Sequence, residues 1–230
     1  MIHGFQKLTL LDYPGKVACT VFLGGCNFRC PFCQNAGLVL RPENEPVIEE
    51  EEILHVLKKR QGILEGVCVT GGEPTLYPDL ERFLRKIKAA GYCVKLDTNG
   101  YRPEILKHLV EEKLVDYVAM DIKNAPARYA ETVGVPTLQM DKIRESVSYL
   151  MQNVVEYEFR TTVARELHGS EEMLEIGAWI AGCRRYFLQG YQESEHVINP
   201  VFTSYSKEEL NQFVELLRRW VPTAEVRGVE

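Results

Sequence analysis

The sequence predicts an α/β fold, and three observations lead to that prediction. Short apolar segments rich in β-branched residues recur along the 230 residues. Each is followed by a segment whose apolar residues have helical spacing. Such alternation is typical of parallel sheets with right-handed crossovers. No Pro/Gly/Ser-rich linker or low-complexity segment interrupts it, so the sequence predicts one domain, residues 1–230.

Six segments are predicted to be strands. In chain order they span residues 17–25, 66–72, 92–100, 115–123, 155–164 and 184–192. Most of them are nearly continuous apolar runs, as expected for strands that are covered on both faces of the sheet.

Six segments are predicted to be helices. They span residues 47–61, 77–91, 103–113, 140–153 and 170–182, and a last helix begins near Ser206. The first carries its acidic residues at the N-terminus, where the helix dipole favours them. The second has Pro78 available for a first turn and Gly91 as a stop. Ser206 and Glu209 have the spacing of a capping box.

The six β/α units fit either a doubly wound sheet or a barrel, because both have the same periodicity. Eight units would close a full barrel, whereas six would form an open, partial barrel. In both architectures the active site lies at the carboxyl ends of the strands.

The composition favours a cytoplasmic protein. Hydrophobic residues make up 45% and charged residues 26% of the chain, and no uninterrupted apolar run approaches membrane-spanning length. The N-terminal residues lack the pattern of a signal peptide. A net charge of −6 disfavours nucleic acid as a partner, because phosphate binding usually needs a basic face. We therefore expect neither a nucleic acid nor a membrane as a partner.

Three closely spaced cysteines follow the first predicted strand, in the segment GGCNFRCPFCQN. Cys26, Cys30 and Cys33 are one ligand too few for a structural zinc site, which usually has four ligands in two pairs. The four other cysteines stand alone and are expected to be buried thiols. Three thiolates on an iron–sulfur cluster would leave one iron open, and an open position on a metal can accept a substrate.

Polar segments follow the next three predicted strands. TGGEP ends the second strand, DTNG the third and DIK the fourth. Because carboxyl ends of parallel strands meet at the same edge, we expect these segments and the cysteines to belong to one active site.

CNFRCPFC resembles the CxxxCxxC signature of the radical S-adenosylmethionine enzymes, with the aromatic Phe32 before the last cysteine, and GGEP resembles that superfamily's second motif. Residues 4–35, with DTNG and DIK, are similar to glycyl-radical-enzyme activating proteins, in particular the anaerobic ribonucleoside-triphosphate reductase activating group. The resemblance implies a partial (β/α)6 barrel of the radical S-adenosylmethionine type.

The resemblance also implies roles for the strand-end residues. Cys26, Cys30 and Cys33 would ligate a 4Fe–4S cluster, whose fourth iron would be chelated by S-adenosylmethionine. The backbone at Phe32 would meet the adenine. The remaining residues implied to bind the cofactor are Gly71, Gly72, Glu73, Asp97, Thr98, Asn99, Asp121, Lys123, Arg160 and Gln189.

Among these residues, the GGE segment would hold the methionine amino group. Asp97 and Asp121 would help to bind a monovalent cation near the cofactor carboxylate, which Lys123 could neutralise. Arg160 would reach the ribose or the carboxylate.

The implied reaction is reductive cleavage of S-adenosylmethionine to a 5′-deoxyadenosyl radical, which removes a hydrogen atom from a glycine of a partner enzyme. The resemblance implies two partners. One is a glycyl-radical enzyme, namely anaerobic ribonucleotide reductase, and the other is a low-potential electron donor, either flavodoxin or ferredoxin.

Three alternatives remain open at this stage. The chain could activate another glycyl-radical enzyme, such as pyruvate formate-lyase. It could be a radical S-adenosylmethionine enzyme that acts on a small molecule, as deazapurine synthases do, or on RNA, although the acidic net charge disfavours RNA. It could also be a non-catalytic iron–sulfur or zinc module, although GGEP and DTNG would then be unexplained.

Overall fold

The computed structural model describes residues 1–194 and 197–228 of the chain. In these residues eight strands follow their chain order in one mostly parallel sheet, which confirms the predicted α/β class. The strands are Ile2–Thr9 (β1), Ala18–Leu23 (β2), Gly66–Gly71 (β3), Cys93–Thr98 (β4), Tyr117–Asp121 (β5), Glu156–Val163 (β6), Tyr186–Gly190 (β7) and Ala224–Arg227 (β8).

The helices are Ala36–Leu40 (α1), Glu50–Lys59 (α2), Leu80–Ala89 (α3), Pro103–Glu111 (α4), Tyr129–Thr132 (α5), Met140–Leu150 (α6), Ser170–Trp179 (α7) and Lys207–Leu217 (α8). Six of them match the predicted helices, and the prediction omits the short α1 and α5. Pro78 lies before α3, not inside its first turn, because that helix begins at Leu80. The predicted capping box is present, with the Ser206 hydroxyl accepting from the Glu209 amide.

The six predicted strands correspond to β2 through β7, and the prediction omits β1 and β8. β1 carries Gly4 and a run of exposed residues, so it has no apolar alternation that would predict a strand. β8 has four residues, of which only Ala224 is buried. Both strands lack the continuous apolar character by which the other six were recognised.

The chain forms two compact units. The first comprises Met1–Asn27, Asn35–Thr98 and Arg102–Val118, and the second comprises Phe28–Gln34, Asn99–Tyr101 and Ala119–Glu230. In the first unit β1 is antiparallel to β2, while β3 is parallel to both β2 and β4. In the second unit β7 is parallel to both β6 and β8.

The parallel register in the first unit brings strand ends together. β2 and β3 pair from Ala18 with Gly66 to Leu23 with Gly71, so the segments that follow these strands begin side by side. One face of these strands is fully buried and apolar, with Val21, Val69 and Leu96 at 0% exposure. This buried face fixes the register, because a slip by one residue would move the whole apolar set to the other face.

Among the described residues, no helix combines the length and the apolar character needed to cross a membrane.

Candidate active site

The predicted site residues fall into two groups, one in each unit. The first unit carries Cys26, Gly71, Gly72, Glu73, Asp97 and Thr98, and the second carries Cys30, Phe32, Cys33, Asn99, Asp121, Lys123, Arg160 and Gln189. Most of these residues follow a strand or end one, as the sequence predicted. Phe32 and the cysteines lie on the segment after β2.

Gly71 and Gly72 lie directly against the backbone of the segment that follows β2. A Cβ at Gly71 would stand 2.3 Å from the carbonyl oxygen of Leu23, and one at Gly72 would stand 2.0 Å from that of Gly25. The amide of Gly72 donates to Leu23 O and the amide of Glu73 donates to Gly25 O, each at 2.8 Å. Only glycine leaves room for this contact, so the glycine pair has a structural role beside its predicted role toward the cofactor.

The Glu73 carboxylate is buried and anchors two threonines. Its Oε1 accepts from the Thr75 amide at 3.1 Å, from the Thr75 hydroxyl at 2.6 Å and from the Thr98 hydroxyl at 2.7 Å. Glu73 is only 1% exposed, so these hydrogen bonds satisfy a polar group that water does not reach. The structure thus ties the end of β3 to the end of β4, and the predicted contact with an ammonium group stays a prediction.

Asp97 forms an ion pair with a lysine on its own strand. Lys95 and Asp97 are two residues apart on β4 and therefore project from the same face. The Lys95 ammonium bonds Asp97 Oδ1, and it also lies 3.6 Å from the sulfur of Cys68, its cross-strand partner on β3. The Lys95 side chain is 2% exposed and that of Asp97 is 12% exposed. The predicted cation ligand thus already has a protein cation beside it.

Cys26 lies in a glycine-rich segment where the two glycines have different roles. A Cβ at Gly24 would approach the His3 ring to 2.4 Å, so packing alone explains that glycine. Gly25 has a φ of +90°, a conformation that favours glycine, and within the described part of the chain no atom other than those of its sequence neighbours lies within 4 Å of the position its Cβ would take. The backbone conformation rather than packing therefore explains this second glycine.

The backbone around Cys30 and Cys33 is held by hydrogen bonds. The Cys33 amide donates to the Cys30 carbonyl at 3.0 Å, which closes a tight turn. The Ile198 amide donates to the Cys33 carbonyl at 3.1 Å, and the Asn199 amide donates to the Pro31 carbonyl at 2.8 Å. Cys30 is buried and Cys33 is half-buried. These bonds fix the turn that presents both thiols.

Phe32, between these cysteines, packs against a buried histidine. Its ring meets the rings of His168 and Phe202 edge to face, with centroids 6.4 and 6.3 Å apart. His168 Nε2 lies 2.9 Å from the Lys123 carbonyl oxygen, and the Ala164 amide donates to Nδ1 at 3.2 Å. Nδ1 also lies 3.3 Å from the Ala164 carbonyl oxygen, but acceptance from the Ala164 amide favours the neutral Nε2–H tautomer. Burial lowers the pKa of His168 and so supports the neutral form.

Lys123 brings a positive charge to the cysteine turn. Its ammonium donates to Asp121 Oδ2 at 3.0 Å, and Arg160 Nε donates to Asp121 Oδ1 at 3.2 Å. Burial by itself would lower the pKa of Lys123, but the Asp121 carboxylate and the Cys30 and Cys33 sulfurs outweigh it, and the net direction is upward. The lysine therefore stays charged beside the cysteine turn.

The positions of Asn99 and Gln189 do not test the cofactor-binding roles predicted for them. Asn99 is 5% exposed, and its Oδ1 accepts from the Tyr101 amide at 3.0 Å, which shapes the turn after β4. Gln189 is half-buried near the end of β7, between Thr162 of β6 and Arg227 of β8. The roles predicted for both residues stay predictions.

Three notable residues near the site were not predicted, namely Lys95, His168 and Tyr191. Tyr191 directly follows β7, and its buried hydroxyl has no hydrogen-bond partner among residues 1–194 and 197–228. Of the three, only Lys95 could have been recognised from the sequence, because it is a lysine in the middle of the apolar run YCVKLDT. A charged residue in a strand that is covered on both faces needs a partner. Nothing comparable marks His168 or Tyr191, because their burial depends on residues distant in sequence.

The chemistry of the donor set is compatible with an iron–sulfur cluster. Cys26, Cys30 and Cys33 are free thiols, and thiolates are the usual ligands of such clusters. Lys123 supplies positive charge near Cys30 and Cys33. The donor set thus fits the predicted cluster.

Comparisons with known proteins place this geometry in context. The sequence profile described as "Radical SAM superfamily" matches residues 20–166. A protein of Methanocaldococcus jannaschii, provisionally named a glycyl-radical enzyme activating enzyme, is 29% identical over 100% of this chain and 96% of its own length.

Two solved structures share the fold at low identity. Streptococcus suis SuiB bound to S-adenosylmethionine matches with a TM-score of 0.70 at 15% identity, covering 90% of this chain. The chain spans about half of SuiB, 51% of its length. A domain of pyruvate-formate lyase-activating enzyme from Bacteroides vulgatus matches with a TM-score of 0.59 at 18% identity, covering 71% of this chain and 99% of that domain.

Proposed function

Because the chain belongs to the radical S-adenosylmethionine superfamily, we propose that it activates a glycyl-radical enzyme. The observation that carries the proposal is the similarity to the M. jannaschii relative, which extends over nearly the whole of both chains. A match confined to the region of the superfamily profile would support only the shared chemistry. A full-length match also includes the segments outside that region, where activating enzymes can differ from other members.

Family membership confirms the prediction of a radical S-adenosylmethionine enzyme and implies a 4Fe–4S cluster and S-adenosylmethionine as its cofactors. Cys26, Cys30 and Cys33 would hold the cluster. When bound and reduced, the cluster supplies the electron that breaks a carbon–sulfur bond of S-adenosylmethionine, which yields methionine and a 5′-deoxyadenosyl radical. The protein contributes binding, orientation and exclusion of water.

The residues of the first unit would bind the methionine part of the cofactor. Gly71 and Gly72 pack against the backbone of the segment that follows β2, so their part in binding would be to place Glu73 beside the methionine amino group. The Glu73 carboxylate is buried there, where it would favour a positively charged amino group. Thr98 fixes the orientation of that carboxylate through its hydroxyl.

The residues of the second unit would orient the rest of the cofactor. The backbone at Phe32 would meet the adenine, and its ring is braced by His168 and Phe202. Lys123 would neutralise the cofactor carboxylate and stabilise the cysteine thiolates. Arg160 would act on the ribose or the carboxylate, and Gln189 would contribute a further polar contact.

We further propose anaerobic ribonucleotide reductase as the partner that receives the radical on a glycine Cα. A flavodoxin or ferredoxin would donate the electron. Flanking amides would stabilise such a glycyl radical, so the hydrogen atom would pass from the glycine to the deoxyadenosyl carbon and the radical would stay on the partner.

The test is an anaerobic reconstitution of the wild-type protein with Cys33→Ser and Cys93→Ser as a matched pair, since both cysteines are half-buried. We expect wild type and Cys93→Ser to bind iron and sulfide, to show cluster absorbance and to release 5′-deoxyadenosine on reduction. Cys33→Ser should lose the cluster absorbance and the product. Equal cluster content in both variants would contradict the ligand assignment.

The partner is tested separately by adding an anaerobic ribonucleotide reductase chain to the reduced protein. A glycyl-radical doublet in the electron paramagnetic resonance spectrum is the expected result. Formation of 5′-deoxyadenosine without a glycyl radical on either the reductase or pyruvate formate-lyase would contradict the activase proposal. The superfamily assignment would still stand.

A further inference from the structure

Both aspartates that the resemblance implicates in binding a monovalent cation are already paired with protein cations. On β4, the Lys95 ammonium bonds Asp97 inside the first unit. In the second unit, Asp121 accepts from Lys123 through one carboxylate oxygen and from Arg160 through the other. The two arrangements arise independently, since each is built from residues of its own unit.

The pair of Lys95 and Asp97 is built into the sheet. Lys95 projects from β4 beside Cys68 of β3, and the parallel register fixes this neighbourhood. A buried ammonium is costly unless an opposite charge accompanies it, and Asp97 supplies that charge. Conversely, Lys95 neutralises the carboxylate that would otherwise attract an external cation.

A sodium or potassium ion does not fit beside either carboxylate. Such an ion needs oxygen ligands that direct a negative charge or a lone pair of electrons at it. At Asp97 it would approach an ammonium that is 2% exposed and cannot move into solvent. At Asp121 it would approach one ammonium and one guanidinium, whose side chains are 18% and 13% exposed. Like charges at such short range repel strongly where little water screens them.

We propose that side chains of this protein take the place of the monovalent cation. Lys95 neutralises Asp97, and Lys123 and Arg160 neutralise Asp121. Lys95 is then a positioning residue that neutralises the Asp97 carboxylate and fixes it at the end of β4. The inference rests on the proposed function for the role of the aspartates toward the cofactor, but the pairing itself is a property of the protein alone.

The experiment compares sodium, potassium and N-methylglucamine chlorides at equal ionic strength. For the reconstituted wild-type protein, we expect S-adenosylmethionine affinity by calorimetry and the thermal midpoint to be the same in all three salts. An increase in affinity of about tenfold in sodium or potassium, equivalent to about 1.4 kcal/mol, would overturn the proposal.

Variants at Lys95 test the mechanism. Lys95→Met removes the ammonium and leaves the Asp97 carboxylate, so we expect a new dependence on sodium or potassium, seen as a higher thermal midpoint and as broadening of the sodium-23 resonance. Lys95→Met combined with Asp97→Asn removes both charges and should lose that dependence. Lys95→Arg retains the positive charge and should behave like wild type. A folded Lys95→Met that ignores the alkali cations overturns the role of Lys95.

These measurements distinguish a folding failure of Lys95→Met from a failure of the proposed function. If Lys95→Met fails to fold, the salt series on wild type and on the neutral double variant still decides whether the protein depends on an alkali cation. If the protein never cleaves S-adenosylmethionine, the proposed function fails, whereas the thermal midpoint and the sodium-23 resonance still report whether a cation binds.

Discussion

Gly72→Ala is the most direct test of how the two strand-end segments of the first unit are held together. The added methyl group would stand 2.0 Å from the carbonyl oxygen of Gly25, a backbone atom that cannot rotate away. To reach ordinary van der Waals contact, the two segments must separate by about 1.4 Å. The φ of Gly72 lies outside the left-handed region, so the substitution tests space alone.

The expected cost follows from the contacts that this separation breaks. The bonds from Gly72 N to Leu23 O and from Glu73 N to Gly25 O, both 2.8 Å, would be lost. Each contributes about 1 kcal/mol, and overpacking against a rigid neighbour adds about 1–3 kcal/mol. We therefore expect the free energy of unfolding to fall by about 3–5 kcal/mol.

Gly37→Ala is the matched control, because its Cβ would also approach another atom at 2.0 Å. That atom is the end of the flexible Glu45 side chain, which can swing away, so the change should stay within about 1 kcal/mol. The assay is urea unfolding of the reduced apoprotein, followed by circular dichroism at 222 nm. A Gly72→Ala midpoint no lower than that of Gly37→Ala would refute the reasoning.

Three further predictions concern the second unit. Because burial lowers the pKa of His168 below 6.5, the unfolded chain takes up this proton first as the pH falls. The free energy of unfolding should then drop below pH 6.5 by at most about 1.4 kcal/mol per pH unit, and a pH series of urea melts should lose this component in His168→Gln. Arg227 donates to both oxygens of the fully buried Glu158, at 2.8 and 3.1 Å. Arg227→Met should therefore cost about 2–3 kcal/mol in the same melts, and adding Glu158→Gln should recover part of the loss; no recovery would argue against the charge as the cause. Tyr191→Phe removes a buried hydroxyl that has no hydrogen-bond partner in the described part of the chain, so the apoprotein should be as stable as wild type or more stable by about 1 kcal/mol, and a thermal midpoint below wild type would count against this view.

Most of the fold could be predicted because burial on both faces leaves a clear trace in the sequence. β2 and β3 are apolar along nearly their whole length, and the helices between strands carry caps and stops that the sequence shows directly. β1 escaped prediction because a strand at the end of a sheet has one neighbour and needs no apolar run. β8 was too short to show a pattern at all.

The candidate site was predictable only in part, for a different physical reason. The cysteine spacing and the strand-end glycines are local patterns, and the structure places them on the expected segments. The partners of the charged residues are not local in this sense. Lys95 beside Asp97 could be suspected from a lysine within an apolar strand, but its contact with Cys68 depends on the register of β3 and β4. The bond from His168 to the Lys123 carbonyl joins residues 45 positions apart, which no spacing rule reveals.

β1 also bears on how the protein avoids self-association. It is the terminal strand of the sheet, so among the described residues no strand pairs with its outer edge. Its register shifts twice against β2, between Ile2 and Gly4 and again between Gln6 and Thr9. The exposed Lys7 lies within that edge, and its carbonyl oxygen already accepts from the Arg60 guanidinium at 3.2 Å. An irregular, charged border offers a poor template for a strand from another molecule, which guards the chain against edge-to-edge aggregation.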